Sequence, residues 1–182
     1  MQHIVRALLS SYLTTKTLPT AKDFAEIGEL NTQTKEPTAV FVTLYRGGEI
    51  IASAGRIQPL HPLIGDELLD STLLAIMDAR TEHTLTSADD LKTAQIRVDL
   101  IPLSHRSVIS RVSEIDAKKD GAILLSQNYM KAAILLPNIT NIATKSDEIY
   151  FLLTKKAGLD PDKITSADYV LYRFESIKHS DF

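Results

Sequence analysis

Residues 38–55 read TAVFVTLYRGGEIIASAG. The first eight are β-branched, aromatic and aliphatic residues of strand composition, and EIIASAG is a second strand-like run. Gly47-Gly48 between them is the signal for a two-residue hairpin turn. Taken as a regular hairpin, the stretch pairs Leu44 with Ile51, Val42 with Ser53 and Val40 with Gly55. Ser53 then points into an otherwise apolar face, because strand residues alternate sides. The small run Ala52-Ser53-Ala54-Gly55 leaves room for close approach, either by a helix packed on the sheet or by a ligand in a hollow over Ser53 and Gly55. A phosphate loop is not expected. The glycines match neither G-x-x-x-x-G-K-[ST] nor G-x-G-x-x-G, and a strand follows Gly48 where those motifs need a helix.

Working outward, Ile4, Val5, Leu8, Leu9, Tyr12 and Leu13 recur at helical spacing, so the N-terminus reads as an amphipathic helix rather than a signal peptide. Residues 18–37 read as loop or a short helical turn, punctuated by Pro19 and Pro37. From Pro62 to Ala79 the pattern is helical, with Leu69, Leu73, Ile76 and Met77 as its stripe. AQIRVDLIPL (94–103) alternates Ile96, Val98 and Leu100 with Gln95, Arg97 and Asp99, a half-buried strand. RSVISRV is a further short strand. AILLSQNYMKAAILLP reads as two strands joined across Gln127-Asn128. KSDEIYFLLTKKAG is a helix stopped by Gly158, and ADYVLYRFESIK is one final strand. Strands outnumber helices without regular alternation, which gives an α+β class of mainly antiparallel sheets with flanking helices. Residues 1–182 are expected to form a single domain, with two lobes as the alternative arrangement.

The composition bounds the partners. A net charge of −3 with scattered Lys and Arg lacks the concentrated basic face that nucleic acid requires. No apolar run approaches the roughly 20 residues of a membrane span. The chain has no cysteine, which excludes disulfides and thiolate chemistry and fits a reducing, cytoplasmic setting. His61, His83 and His105 are evenly spaced but fall in different elements without metal-ligand spacing. Asp116, Asp120 and Gly121 sit at positions one, five and six of a calcium-loop pattern whose third position is Lys118, so DAKKDG is a turn. No G-x-S-x-G elbow is present. No metal and no cofactor are expected.

VFVTLYRGGEI, MDARTEHTLT, AILLP, KKAGLDPD and LYRFES, in that order, resemble segments of the AMMECR domain family, which includes protein A of the AmmeMemoRadiSam gene system. The resemblance runs from about Phe41 to the C-terminus. The family's L-R-G-C-I-G signature corresponds to Ile50-Ile51-Ala52-Ser53-Ala54-Gly55, so its arginine is replaced by Ile51 and its cysteine by Ser53. Its D-x-R-F motif keeps Asp78 and Arg80 and has Thr81 for the phenylalanine. What the resemblance implies is a domain of unassigned activity with a site around the signature. We therefore expect a ligand- or protein-binding module with a cleft beside the 49–57 strand. Ser53, Gly55 and Arg56 would line one side and Asp78 and Arg80 the other. An arginine would meet a small anionic ligand or a protein partner, and no residue is assigned a catalytic role. The bland reading of Asp78 and Arg80 is an ion pair at the end of a helix. The alternative function is an enzyme acting with Memo-like and radical-SAM companions, which would need a general base within reach of Ser53.

Overall fold

The computed structural model of the chain describes every residue except 83, 127, 129, 139–142 and 144. Its helices are α1 (Gln2–Thr15), α2 (Ala25–Thr32), α3 (Ile64–Ile76) and α4 (Ser146–Lys156). Its strands are β1 (Thr38–Arg46), β2 (Glu49–Gly55), β3 (Gln95–Pro102), β4 (Arg106–Ile109), β5 (Gly121–Ser126), β6 (Lys131–Leu135), β7 (Val170–Phe174) and β8 (Ile177–Ser180). They form two four-stranded sheets, ordered β2-β1-β3-β8 and β4-β7-β5-β6, with antiparallel pairing throughout. The expected α+β architecture is present. Among the described residues no helix is long and apolar enough to cross a membrane. The chain divides into two compact units, Met1–Leu103 with Ile177–Phe182, and Ser104–Ser176.

In the first unit the helices share one face of the sheet. Val40, Val42, Leu44, Ala52, Ile96, Val98 and Leu100 pack there against Ile4, Val5, Leu8 and Leu9 of α1, Ile27 and Leu30 of α2 and Leu68 and Ala75 of α3. The fully buried side of α3 is not the stripe read from the sequence, of which Leu69 and Ile76 pack against the core only partly buried. Leu68, Ser71, Thr72 and Ala75 face inward, whereas Met77 is 74% exposed. Small residues win these positions because the helix lies close to the strands, and the Ser71 hydroxyl donates to the Val40 carbonyl at 2.9 Å. The loop expected over residues 18–37 contains α2. Its Ile27 and Leu30 bury a face one turn apart, and the Asn31 side chain at its end accepts from the amides of Gly65 and Asp66 at the start of α3. Gly28 in the middle of this helix lowers its propensity and hides it from a sequence reading.

The hairpin turn is as read: Gly47 and Gly48 have φ of 59° and 85°, the paired left-handed conformations that favour glycine in such turns. The register beyond it differs. Tyr45 pairs with Ile50, but the ladder shifts between Leu44 and Tyr45, so Leu44 meets Ala52, Val42 meets Ala54, Thr43 meets Ser53 and Phe41 meets Gly55. Ile51 is the extra residue of a β-bulge, and one extra residue reverses every later side chain. Ser53 therefore shares its face with Thr43 and Arg97, not with the valines. On that same face β3 is buried where alternation made it half exposed. Arg97 and Asp99 are 8% and 0% exposed, joined by two hydrogen bonds of 2.7 Å.

In the second unit α4 lays Ile149 and Leu153 over Ile109, Leu124, Ala133, Leu135 and Leu171. Lys156 at its end donates to the Ile134 carbonyl of the edge strand β6 at 2.7 Å. Gly158, with φ of 66°, ends the helix as expected. The joint expected at Gln127-Asn128 falls partly outside the described residues, as does His83. The single C-terminal strand is in fact two: β7 pairs with β4 and β5, and β8 pairs with β3 in the other sheet.

Candidate functional site

The motif residues converge at the outer edge of β2. As the first strand of its sheet, β2 bonds β1 on one side and, among the described residues, leaves the amides of the other side without a strand partner. One of these, Ser53 N–H, donates to Asp78 Oδ2 at 3.1 Å. Asp78 stands just past α3, where it caps the short 3-10 turn Ala79–Thr81. Its Oδ1 accepts from the backbone N–H and from Nε of Arg80, each at 3.0 Å, and its Oδ2 accepts from Arg80 Nη2 at 2.6 Å. Thr81 closes the turn by donating its hydroxyl to the carbonyls of Ile76 and Asp78.

This arrangement fixes the electrostatics. The Arg80 guanidinium, against a smaller opposing effect of burial, holds the Asp78 carboxyl at about 2, with help from the amides of Arg80 and Ser53. Asp78 is thus an anion at any ordinary pH, with its side chain 14% exposed. Arg80 is the outward member of the pair, its side chain 49% exposed. The pair uses Nε and one side of Nη2, so among the described residues the other guanidinium N–H groups have no second acceptor. The Ser53 hydroxyl lies 3.1 Å from the hydroxyl of Thr43, which is 1% exposed.

Ser53, Asp78 and Arg80 are brought together. Gly55 and Arg56 serve other contacts. A side chain at Gly55 would run into the Val40 carbonyl and the Phe41 ring, whose Cγ would be 2.6 Å from its Cβ. The space above this glycine is filled by Phe41, the strand partner opposite it. Arg56 forms an ion pair with Asp70 of α3, and His61 Nε2 lies 3.7 Å from the same carboxylate. The sequence alone does not mark Thr43 as part of this site. It becomes visible as a partner of Ser53 only when the bulge at Ile51 is placed, and an isolated hydroxyl in the otherwise apolar VFVTL run is its one signal. Among the described residues no group of three His, Asp or Glu side chains is placed to hold a metal ion.

With this geometry in place, comparison with known proteins gives the family. The AMMECR1 family model matches residues 2–179. The chain belongs to the AMMECR1 family. None of the curated proteins matches it. The crystal structure of an uncharacterized protein, PH0010, from Pyrococcus horikoshii superposes with a TM-score of 0.76 at 20% identity, over 98% of this chain and 88% of that one. At that identity the likeness establishes a shared AMMECR1 fold.

Proposed function

We propose that this AMMECR1 protein is a binding module that takes an anionic group, carried by a small ligand or by a partner protein, at Arg80 beside the edge of β2. The observation that supports this is the state of Arg80: half exposed, yet oriented by three bonds to a carboxylate that is itself tied to the strand. An oriented guanidinium loses little freedom when it meets a carboxylate or phosphate, which is where planar two-point recognition gains its strength. Residues 1–182 are read as one domain, because the family match runs through both compact units. A cytoplasmic setting belongs to the same proposal and rests on the cysteine-free composition.

The alternative, an enzyme working with Memo-like and radical-SAM companions, requires a proton acceptor for Ser53. The Ser53 hydroxyl has another hydroxyl as its partner. Asp78 meets the Ser53 amide instead, and its low pKa makes it a weak base. Binding is the better-supported reading. Titration of labelled protein with inorganic phosphate and with succinate, followed by nuclear magnetic resonance, tests it. The amides of Ser53, Ala79, Arg80 and Thr81 are expected to shift together and saturate, and Arg80→Gln to raise Kd about tenfold. Equal binding by the variant, or no saturation below about 50 mM, rejects the site.

A further inference from the structure

A hollow lined by charged side chains lies in the unit Ser104–Ser176. It measures about 280 Å³ and is lined by His105, Ser107, Lys119, Asp120, Arg173 and Glu175, with Phe174 behind them. It forms where three strand ends meet: β4 begins, β7 ends and β5 starts, and Arg106, Phe174 and Gly121 pair across that row. The back wall is rigid. Phe174 is 1% exposed, and its ring lies where a side chain on residue 121 would be, so glycine is required for it to seat. Ser107 and Arg173 are partners in the next row, on the strand face that also carries Ala122.

The charged groups of this hollow are incompletely paired. Arg173 donates from Nη1 to the Glu114 carbonyl at 3.3 Å, and among the described residues it has no carboxylate at ion-pair distance. Lys119 Nζ is 4.0 Å from Glu175 Oε1, at the limit of such a contact. Asp120 is 3% exposed, and its Oδ2 accepts from the Asp116 amide at 2.8 Å. Two cations and two anions thus face one small space. A simple anion drawn to Arg173 and Lys119 would meet Asp120 and Glu175, and a simple amine would meet the reverse conflict. A molecule carrying both charges a few bonds apart satisfies both pairs.

We propose that this hollow binds a small zwitterion of the α-amino-acid class, its carboxylate received by Arg173 with Lys119 and its ammonium by Glu175 with Asp120. The hollow has ample room for a molecule of that size and lies at the small end of the range for ligand pockets. Ser107, across the strand pair from Arg173, adds a hydroxyl for the same carboxylate.

The test is an amide-shift titration of the full chain with glycine, L-serine and L-glutamine, beside sodium acetate, methylammonium chloride and inorganic phosphate. At least one amino acid is expected to saturate the shifts of Ser107, Asp120, Gly121 and Arg173 in the millimolar range, with acetate, methylammonium and phosphate each about tenfold weaker. Arg173→Gln and Glu175→Gln are each expected to weaken that amino acid about tenfold while the spectrum elsewhere is unchanged. Both side chains are exposed. If a variant nevertheless loses its fold, the comparison of whole and half ligands on the native chain decides alone. Acetate or phosphate binding as tightly as the best amino acid makes it a plain anion site and overturns the proposal. So does tight methylammonium binding, indifference to Arg173→Gln in a folded variant, or no saturation by any amino acid below about 50 mM.

Discussion

The Asp78 carboxylate accepts from two amides and a guanidinium, so folding stabilises its charged form. An unfolded aspartate titrates near 3.9 and this one at about 2. Its contribution is therefore present above the unfolded value and is lost as pH falls from about 4 towards 2. Asp78→Asn keeps the shape without the charge. We expect it to lower stability at pH 7 by about 1 kcal/mol, a figure already reduced for solvent screening at the half-exposed Arg80. The difference from wild type should shrink as pH approaches 2, and urea denaturation at pH 7, 4 and 2.5 measures it. A difference constant with pH would show that the charge of Asp78 does not matter. Two glycines make an opposite pair at the same scale. Gly55→Ala inserts a methyl group into the Phe41 ring and the Val40 carbonyl and should cost about 1–3 kcal/mol. Gly28→Ala, on the exposed side of α2 with open space around its Cβ, should stabilise by about 0.5–1 kcal/mol. Denaturation midpoints of the two variants should move in opposite directions.

At the scale of the element, what could be read in advance was whatever local chemistry decides. Gly47-Gly48 specified its turn because few other residues adopt two successive positive φ values. α1 was legible because its periodicity matches one buried face, α4 because Gly158 marks its end, and β1 because its β-branched and aromatic composition suits a strand buried on both faces. The bulge at Ile51 was not legible. Nothing in EIIASAG distinguishes a bulged residue from a paired one, and the shift moved Ser53 from the valine face to the side of Thr43 and Arg97. Ser53, Asp78 and Arg80 come together despite the shift because Asp78 binds the Ser53 amide, whose direction depends on the strand edge rather than on the side-chain face. Arg56, expected at the cleft as a partner for an anionic group, instead pairs with the carboxylate of Asp70 on α3. Arg97 and Asp99 misled for another reason: charged residues on a strand look exposed unless they are known to satisfy each other. Their burial can be tested. Arg97→Leu leaves Asp99 buried without its bidentate partner and should cost about 3–5 kcal/mol, whereas Arg97→Leu with Asp99→Leu should cost distinctly less. A double-mutant cycle by chemical denaturation gives both values. Additive losses would mean that the pair is not coupled.

At the scale of the whole molecule, the first unit is discontinuous in sequence: its sheet is completed by the last residues of the chain. β8 bonds β3 through the pairs Arg97–Ser180, Val98–His179, Asp99–Lys178 and Leu100–Ile177. Asp181 then accepts from the Ile96 amide at 2.8 Å and from Arg6 Nη2 at 2.7 Å, while Arg6 also donates to the carbonyls of Leu91 and Ala94. One aspartate near the C-terminus thus joins α1, the turn before β3 and the start of β3. Removing residues 177–182 would leave β3 as an edge strand with unpaired backbone groups, and would leave Arg6 without its carboxylate. We expect the truncated chain to keep its helices but to exchange the amides of Ile96, Val98 and Leu100 at least about tenfold faster, with much smaller changes in β5 and β6 of the other unit. Asp181→Ala in the full chain should give a weaker form of the same pattern, centred on Ile96, because it removes the anchor and leaves the strand. Hydrogen exchange read by mass spectrometry separates the outcomes. Faster exchange confined to β3 and α1 makes the C-terminal strand a local closure of the first unit. Equal acceleration in β5 and β6 would mean that the stability of both units depends on it.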